Sequence, residues 1–189
     1  MTNNIKYLFS TPLWTFELEN SDVLNRELLM DGRQYKSSGP NFLDLPGYGI
    51  QKLKEEVNQS LIQIADDMGW KTNNNIEIRS RQSPIDPGKC DSPHYHQSTD
   101  LIGVYYVKAL DGCGDTLLHD TRGAMPHVWQ DRHVLQDPDK KSGRVFYRIK
   151  PKAGTLLFFP SYVIHSVETN FSSEMRISIV FNISFPDYR

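Results

Sequence analysis

Three histidines of this chain are spaced in a way that can bind a metal ion. His94 and His96 are separated by one residue, just before a predicted strand. In an extended segment residues i and i+2 point to the same side, so the two imidazoles can face one point. His165 comes 69 residues after His96 (165 − 96), after an apolar run that ends at Pro160. Imidazole binds zinc, copper, iron and nickel, so this order and spacing predict a site for such a metal.

A guanidinium belongs to the same arrangement. Arg176 follows His165 by 11 residues (176 − 165), at the start of the next predicted strand. We expect a hairpin that places Arg176 beside His165 on neighbouring strands. An arginine there offers a planar fork for a carboxylate of a metal-bound co-substrate. Each group taken alone has an ordinary explanation, as an exposed histidine pair, a hydrogen-bonded half-buried histidine or a surface ion pair.

The composition excludes several classes of protein. The 189 residues are 38% hydrophobic, with Gly and Pro spread along the chain, which excludes a collagen-like, coiled-coil or disordered protein. Lys+Arg (21) and Asp+Glu (23) nearly cancel, so nucleic acid is an improbable partner. No apolar stretch is long enough to span a bilayer, and no signal-peptide pattern is visible. With only Cys90 and Cys113 available for pairing, we expect a cytoplasmic protein with reduced thiols.

The elements that must position these groups follow from the pattern of apolar residues. Alternation over 12–18 predicts a strand, and apolar spacings of three and four predict helices at 21–30 and at about 50–68. From residue 76 onward, short segments rich in Ile, Val, Tyr and Phe alternate with turn residues, which predicts a β-sandwich or barrel with helices near its N-terminus. The predicted strands of this part are 76–82, 101–107, 115–119, 145–150, 155–159 and 175–185.

One polar stretch interrupts the β pattern at about 120–144. A connection of this length without structure inside a compact domain is usually a functional lid or a disordered insert. We therefore predict that this insert is the least ordered part of the domain and that it lies near the mouth of the site. No repeat or linker marks a boundary, so we expect one domain over 1–189. Its N-terminal strand and helices (1–75) would pack on a core formed by 76–189.

A second pair of cations is also a candidate for ligand binding. Arg79 and Arg81 alternate on one face of the strand predicted at 76–82. They can line a groove for an anionic substrate, or they can simply be solvated. The sequence leaves both alternatives open.

Several segments of the chain resemble the 2-oxoglutarate/Fe(II)-dependent oxygenases, in their prolyl-4-hydroxylase-like branch. Within that branch the chain is most similar to a group of small oxygenases common in phage and bacterial genomes. The segments occur in the order typical of the family, and Ser10–Trp14 resembles the opening segment of the group. The matching segments are His94–His96, Gly103–Val107, Gly114–Leu118, Lys150–Pro160, His165–Asn170 and Arg176–Asn182.

The resemblance implies a set of metal ligands. It makes His94 the first iron ligand and His165 the distal histidine ligand. His96 stands where the superfamily usually has Asp or Glu, so three neutral ligands would replace two neutral and one anionic. Such a site is one unit more positive and admits zinc or nickel more easily. Asp100 is an alternative carboxylate ligand, although it would need a bulge or a turn to reach the metal.

The resemblance also implies how the co-substrate is bound. Arg176 and Ser178 match the strand that binds the far carboxylate of 2-oxoglutarate, and they share one face of a strand. Tyr106 matches a tyrosine that contacts the same carboxylate. It is also an even number of residues from His94 and His96, so an unbulged strand would point it inward. Its alternative role is that of a core tyrosine with a satisfied hydroxyl group. Tyr105, on the opposite face, is interpreted as packing.

The implied fold is a double-stranded β-helix (a cupin-like jelly roll) with N-terminal helices, and the metal would lie at one open end. The implied reaction uses Fe(II) as cofactor, and 2-oxoglutarate is oxidatively decarboxylated to succinate and CO2. Molecular oxygen is the oxidant of this step and also hydroxylates an unidentified small molecule or peptide, so that one oxygen atom enters succinate and the other enters the product. The reaction would take place in the host cytoplasm if the chain is phage-encoded. A homodimer is left open.

Two other functions are the alternatives. One is a non-catalytic metal- or ligand-binding jelly roll, and the other is a cupin-like three-histidine dioxygenase that does not use 2-oxoglutarate. Only the co-substrate hypothesis requires Arg176 to be buried and to face the histidines, so its position discriminates between them.

Overall fold

The structure is a computed structural model that describes residues 9–31, 39–70, 75–122 and 145–185. In these ranges the protein is mostly β, with two α-helices that lie close to the positions predicted from the sequence. The elements are β1 (Trp14–Glu17), α1 (Ser21–Asp31), a short 3-10 helix (Phe42–Asp44), α2 (Tyr48–Asp67), β2 (Glu77–Ile85), β3 (Asp91–His94), β4 (Leu101–Lys108), β5 (Thr116–His119), β6 (Phe146–Ile149), β7 (Thr155–Pro160), β8 (His165–Val167) and β9 (Arg176–Ser184).

The strands form two antiparallel sheets. The larger sheet has five strands in the order β1-β7-β4-β9-β2, so β2 is at its edge. The smaller sheet has four strands in the order β3-β8-β5-β6. No helix within the described ranges is long and apolar enough to cross a membrane.

The outer face of the five-stranded sheet packs against the helices. Apolar residues of α2 recur at spacings of three and four and are fully buried, as expected for one face of an amphipathic helix. They join Tyr105 of β4 and Phe181 of β9 in one core cluster. The Tyr105 hydroxyl group also donates a hydrogen bond to Asn25 Oδ1 (2.8 Å), which links β4 to α1. Tyr105 is therefore a packing residue, as predicted.

The inner face of the same sheet looks toward the four-stranded sheet. Because side chains alternate along a strand, the even-numbered residues of β4 and β9 lie on this face. A second core cluster forms there, and Leu118 of β5 contributes to it from the opposite sheet. Its other members include Ile102, Val104, Tyr106, Leu157, Phe159 and Val180.

The predicted hairpin between His165 and Arg176 is wrong. β8 pairs with β3 and β5 in the small sheet, whereas β9 lies between β4 and β2 in the large sheet. The chain crosses between the sheets near Asn170, whose buried side-chain amide donates to the carbonyl groups of Ile85 and Glu174. These bonds stabilise a crossover rather than a tight turn. His165 and Arg176 consequently project from opposite sheets into the space between them.

The predicted insert lies almost entirely outside the described residues. Only its first residues, 120–122, are described, and there Asp120 pairs with Arg122 (2.5 Å). The expectation of a lid over 120–144 therefore stays a prediction.

Candidate active site

The structure brings His94, His96 and His165 together. One potential ligand atom of each imidazole lies within 4.8 Å of those of the other two. The ring centroids are 4.3 Å apart for His94 and His165, 5.1 Å for His96 and His165, and 5.2 Å for His94 and His96. His94 and His165 are cross-strand partners of β3 and β8, and His96 follows where β3 has ended. The predicted cluster is thus formed, although from two strands and a loop.

Each imidazole of the cluster is held through its Nδ1 atom. His94 Nδ1 bonds the Ser92 carbonyl (2.7 Å), and His165 Nδ1 bonds the Val163 carbonyl (2.9 Å). His96 Nδ1 bonds the side-chain oxygen of Asn182 on β9 (2.5 Å). A carbonyl oxygen can only accept, so each Nδ1 carries a proton, and in the neutral form of such a ring the lone pair is on Nε2. Metal-binding histidines are normally held in this way by a second hydrogen bond.

Burial keeps two of these imidazoles neutral. The pKa of His165 is lowered to about 4, mainly by desolvation. The nearby His94 and His96 contribute to the decrease, and the hydrogen bond to Val163 opposes it. Burial also lowers the pKa of His96. At neutral pH both rings are therefore neutral, with a single ring proton each. A lone pair is then available for a metal ion without a preceding loss of a proton.

Asp100, the alternative ligand, has a different role. Its carboxylate oxygen accepts a hydrogen bond from the backbone N–H of Phe185 (2.7 Å), next to the end of β9. Among the described residues, the histidine triplet is the one cluster of three or more potential ligands, and Asp100 is not in it. His119 is also outside the cluster, and its Nε2 bonds Ser166 Oγ (3.0 Å).

Arg176 is buried on the inner face, with 2% of its surface exposed. Its guanidinium donates to the Gly114 carbonyl (3.1 Å) and to Thr116 Oγ1 (3.0 Å), and its Cζ lies 5.0 Å from the centre of the Tyr106 ring. Its Nε–H has no partner. In the described part of the chain, no carboxylate forms an ion pair with it. All of its contacts are therefore with neutral groups.

Two hydroxyl groups accompany this guanidinium. The Tyr106 hydroxyl group lies 2.8 Å from Thr116 Oγ1, and both are buried. Burial raises the pKa of Tyr106 more than the charge of Arg176 lowers it, so the phenol stays protonated. Ser178, on the same face of β9, donates to the Ser83 carbonyl of β2 (3.2 Å). Sequence reasoning missed Thr116, although the segment Gly114–Leu118 had been matched to the family.

Strand register connects the two halves of the site. Leu118 of β5 is opposite His165, and Thr116 is two residues from Leu118 on the same face. Two residues along a strand correspond to about 7 Å. Phe159 packs edge-on against the His165 ring, with centroids 5.0 Å apart. The space between the sheets is thus bounded by the histidines, by an apolar wall that includes Leu118 and Phe159, and by the Thr116–Arg176 pair.

A family described as "Putative 2OG-Fe(II) oxygenase" matches residues 83–182, which is more than half of the chain and includes the three histidines and Arg176. This chain belongs to the 2OG-Fe(II) oxygenase family. The oxygenase is therefore an oxidoreductase whose family uses Fe(II) and 2-oxoglutarate, with molecular oxygen and an organic substrate as partners. No curated protein sequence matches it at a significant level.

Three solved structures have a fold similar to that of this chain. A prolyl-4-hydroxylase from Pseudomonas putida is 13% identical, with a TM-score of 0.63, over 94% of this chain and 89% of that one. A viral collagen prolyl hydroxylase from Paramecium bursaria Chlorella virus-1 is 16% identical, with a TM-score of 0.57, over 98% and 100%. HygX from Streptomyces hygroscopicus, solved with nickel and 2-oxoglutarate, is 9% identical, with a TM-score of 0.58, over 92% and 83%. At these identities the likeness shows that the oxygenase shares their fold.

The residues of the oxygenase fit the cofactors of its family. Three imidazoles with fixed Nδ1 atoms suit a first-row divalent metal such as Fe(II). The unpartnered Nε–H of a buried guanidinium suits a carboxylate that enters from outside the chain.

Proposed function

We propose that this oxygenase is a hydroxylase in which His94, His96 and His165 hold Fe(II) and Arg176 binds the far carboxylate of 2-oxoglutarate. Tyr106 and Ser178 complete the co-substrate pocket. The proximity of the three imidazoles supports the metal site, and so do their Nδ1 hydrogen bonds, which leave the Nε2 atoms to bind a metal. The position of Arg176 across the same space supports the co-substrate site.

The burial of Arg176 without a counter-ion among the described residues is the observation that carries this proposal. An isolated charge in a protein interior is strongly unfavourable unless it is paired. Gly114, Thr116 and the Tyr106 ring provide only neutral contacts, and the Nε–H group remains unsatisfied. A carboxylate that arrives with a ligand supplies both the missing charge and the missing acceptor. The two rival functions have no need for such a group.

The backbone around Gly114 helps to keep Arg176 ready for this ligand. Gly114 adopts a positive φ of 90°, and a Cβ atom there would overlap the Glu168 carbonyl oxygen. Glycine is therefore required for the turn that directs its own carbonyl group at the guanidinium. The Tyr106 and Thr116 hydroxyl groups form a second fixed point. These groups hold Arg176 in one orientation before the ligand binds, which reduces the entropy lost on binding.

The chain's own residues bind, orient and keep water away, while the cofactors supply the oxidation of a C–H bond by oxygen, coupled to decarboxylation of 2-oxoglutarate to succinate. Three neutral imidazoles leave the full charge of a divalent metal uncompensated, which favours an anionic co-substrate. Phe159 and Leu118 line the space beside His165 with apolar surface. They exclude water and thereby strengthen the electrostatic contacts of the pocket.

The chain's organisation and context are part of the same proposal. One domain over 1–189 would contain a double-stranded β-helix in 76–189, with the elements of 1–75 packed on it. The pairing of β1 with β7 and the packing of α2 on the five-stranded sheet support this arrangement. A cytoplasmic location, a small-molecule or peptide substrate and the absence of nucleic-acid binding stay predictions from the sequence, and the homodimer stays open.

Succinate formation tests the reaction. Purified protein supplied with Fe(II), oxygen and 2-oxoglutarate should form succinate, and omission of iron or oxygen should abolish it. Arg176→Lys should raise the KM for 2-oxoglutarate, because a point charge cannot form the two-pronged contact. The matched control Arg26→Lys, on the exposed surface of α1, should leave the KM unchanged. Fully metallated protein that forms no succinate would favour a rival function.

A further inference from the structure

A cleft of about 550 Å3 opens beside His96. Polar side chains alone line it, and they come from β2, from β9 and from the segment that follows His96. Its size is within the range of small-molecule sites. Because β2 is the edge strand of the large sheet, a ligand can approach this cleft from solvent.

Arg79 stands next to the support of a proposed metal ligand. In the register of β2 and β9, Arg79 is opposite Asn182, so their Cβ atoms lie on the same face at roughly 5 Å. Asn182 in turn holds the Nδ1 atom of His96 (2.5 Å). Arg79 and His96 both line the cleft. A group held by Arg79 would therefore lie beside the metal centre.

Arg81 extends the same cationic face by one position. It is opposite Val180, which belongs to the inner core cluster, so its side chain leaves the strand on the inner face. It is two residues from Arg79, so the two arginine side chains leave β2 on the same face about 7 Å apart.

Both arginines lack partners in the described part of the chain. Neither forms an ion pair or a hydrogen bond there, whereas Arg148 pairs with Asp115 and Glu168. Glu77 lies two residues from Arg79 at the outer end of the same face and forms no ion pair with it. Two neighbouring guanidinium groups repel each other, so a bound anion would relieve an unfavourable interaction.

We propose that the substrate of this oxygenase carries an anionic group, a carboxylate or a phosphate, in the cleft beside His96. Arg79, which lines the cleft, and Arg81, two residues farther along the same face of β2, would bind this group. The proposal rests on the function proposed above, and it adds a substrate class. The anionic group would anchor the substrate at the edge of the large sheet. A carbon close to that group would then reach the metal centre.

Inorganic phosphate and 13C-labelled acetate are suitable probes of this cleft. Both are titrated into Co(II)-loaded protein that is saturated with 2-oxoglutarate, so that neither probe can occupy the Arg176 site. Paramagnetic relaxation of the 31P or 13C nucleus then reports binding close to the metal. Arg79→Gln and Arg81→Gln should each weaken binding of the preferred probe about fivefold to tenfold, since each removes a charge-assisted contact. Added salt should weaken binding by wild-type protein.

Arg26→Gln is the matched control, because it removes the same charge from the exposed surface of α1. It should leave both titrations unchanged. The 2-oxoglutarate affinity of every variant is measured in parallel and should stay within about twofold of that of the wild type. The probe that binds more tightly identifies the group as a carboxylate or a phosphate.

Two results would overturn this inference and leave the proposed function intact. The first is that neither probe shows saturable paramagnetic relaxation in wild-type protein. The second is that the relaxation is equal in the Arg79→Gln/Arg81→Gln double variant and in Arg26→Gln. A wild-type protein that binds the metal but not 2-oxoglutarate would overturn the proposed function, and this inference with it.

Discussion

The two faces of the β4–β9 pair differ in composition although the same two strands form both. The outer face is apolar along its length and is covered by α2, with Ile179 and Phe181 completely buried. On β9 the inner face is apolar at Val180 and becomes polar toward both ends, at Arg176 and at Asn182. Because side chains alternate along a strand, neighbouring residues of β9 contribute in turn to the packed core and to the candidate site. Substitutions on the outer face should affect folding, and substitutions on the inner face should affect binding.

The largest effect is expected at the metal centre. His165→Ala should reduce metal affinity by about two to three orders of magnitude, since structural metal sites gain ~10–16 kcal/mol from roughly four ligands. Metal content after dialysis, measured by elemental analysis, checks this. A variant that keeps one metal ion per chain would remove His165 from the ligand set.

A substitution on the outer face should reduce stability and leave ligand binding nearly unchanged. Ile179→Ala should reduce the free energy of unfolding by about 2–5 kcal/mol, because it leaves a cavity under α2. Metal and 2-oxoglutarate affinities of the folded protein should stay close to those of the wild type. Denaturant unfolding and the two binding titrations measure both quantities. A large loss of affinity in the folded variant would contradict the separation of the two faces.

Asn182→Ala tests the polar end of the inner face. Loss of the Asn182–His96 hydrogen bond should weaken metal binding by about 10–100-fold, as is usual for residues that orient a metal ligand. Asn182→Asp retains an acceptor and should restore most of the affinity. Competition with a chelator gives the dissociation constants. Equal affinities for wild type and Asn182→Ala would show that His96 does not need this support.

The smallest effect is a pH dependence of the metal-free protein. The pKa of His165 is lowered from 6.5 to about 4 in the folded state, so between these values the unfolded chain binds a proton that the folded chain does not. Stability therefore falls as the pH decreases through this range. From pH 7.5 to pH 5, the free energy of unfolding should decrease by about 2 kcal/mol more for wild type than for His165→Gln. Urea unfolding measures this difference, and an equal decrease in the two proteins would contradict the neutral state of His165.

The sequence alone could predict both α-helices, most of the strands and the histidine cluster, because local apolar patterns and the His-x-His spacing carry that information. It did not predict the short strands β3 and β8, which contain two of the histidines and have no long apolar run. It could not assign strands to sheets. The 11 residues between His165 and Arg176 suit a hairpin, yet the buried Asn170 amide makes them a crossover. The roles of Thr116 and Asn182 were missed for a similar reason, since each acts through a partner that is distant in the chain.

The inward direction of Tyr106 shows the limit of parity arguments. Its even spacing from His94 and His96 predicts that its side chain points inward with theirs. Those histidines, however, lie in or next to β3, on the other sheet. The direction of Tyr106 follows instead from its own strand, where Ile102 and Val104 also face inward. Alternation therefore relates residues within one strand only, and strand assignments are needed first.

The central claim is that the buried Arg176 awaits the far carboxylate of 2-oxoglutarate. Its most direct test is an anaerobic titration of the Fe(II) protein with 2-oxoglutarate, followed by the visible charge-transfer band, for wild type and Arg176→Ala. Wild type should show a saturable band. The affinity of Arg176→Ala for 2-oxoglutarate should be roughly 30-fold to several thousand-fold weaker, which corresponds to ~2–5 kcal/mol. Circular dichroism and metal content confirm that the variant is folded and loaded. Equal affinities in the two proteins, or no band in wild type, would contradict the account.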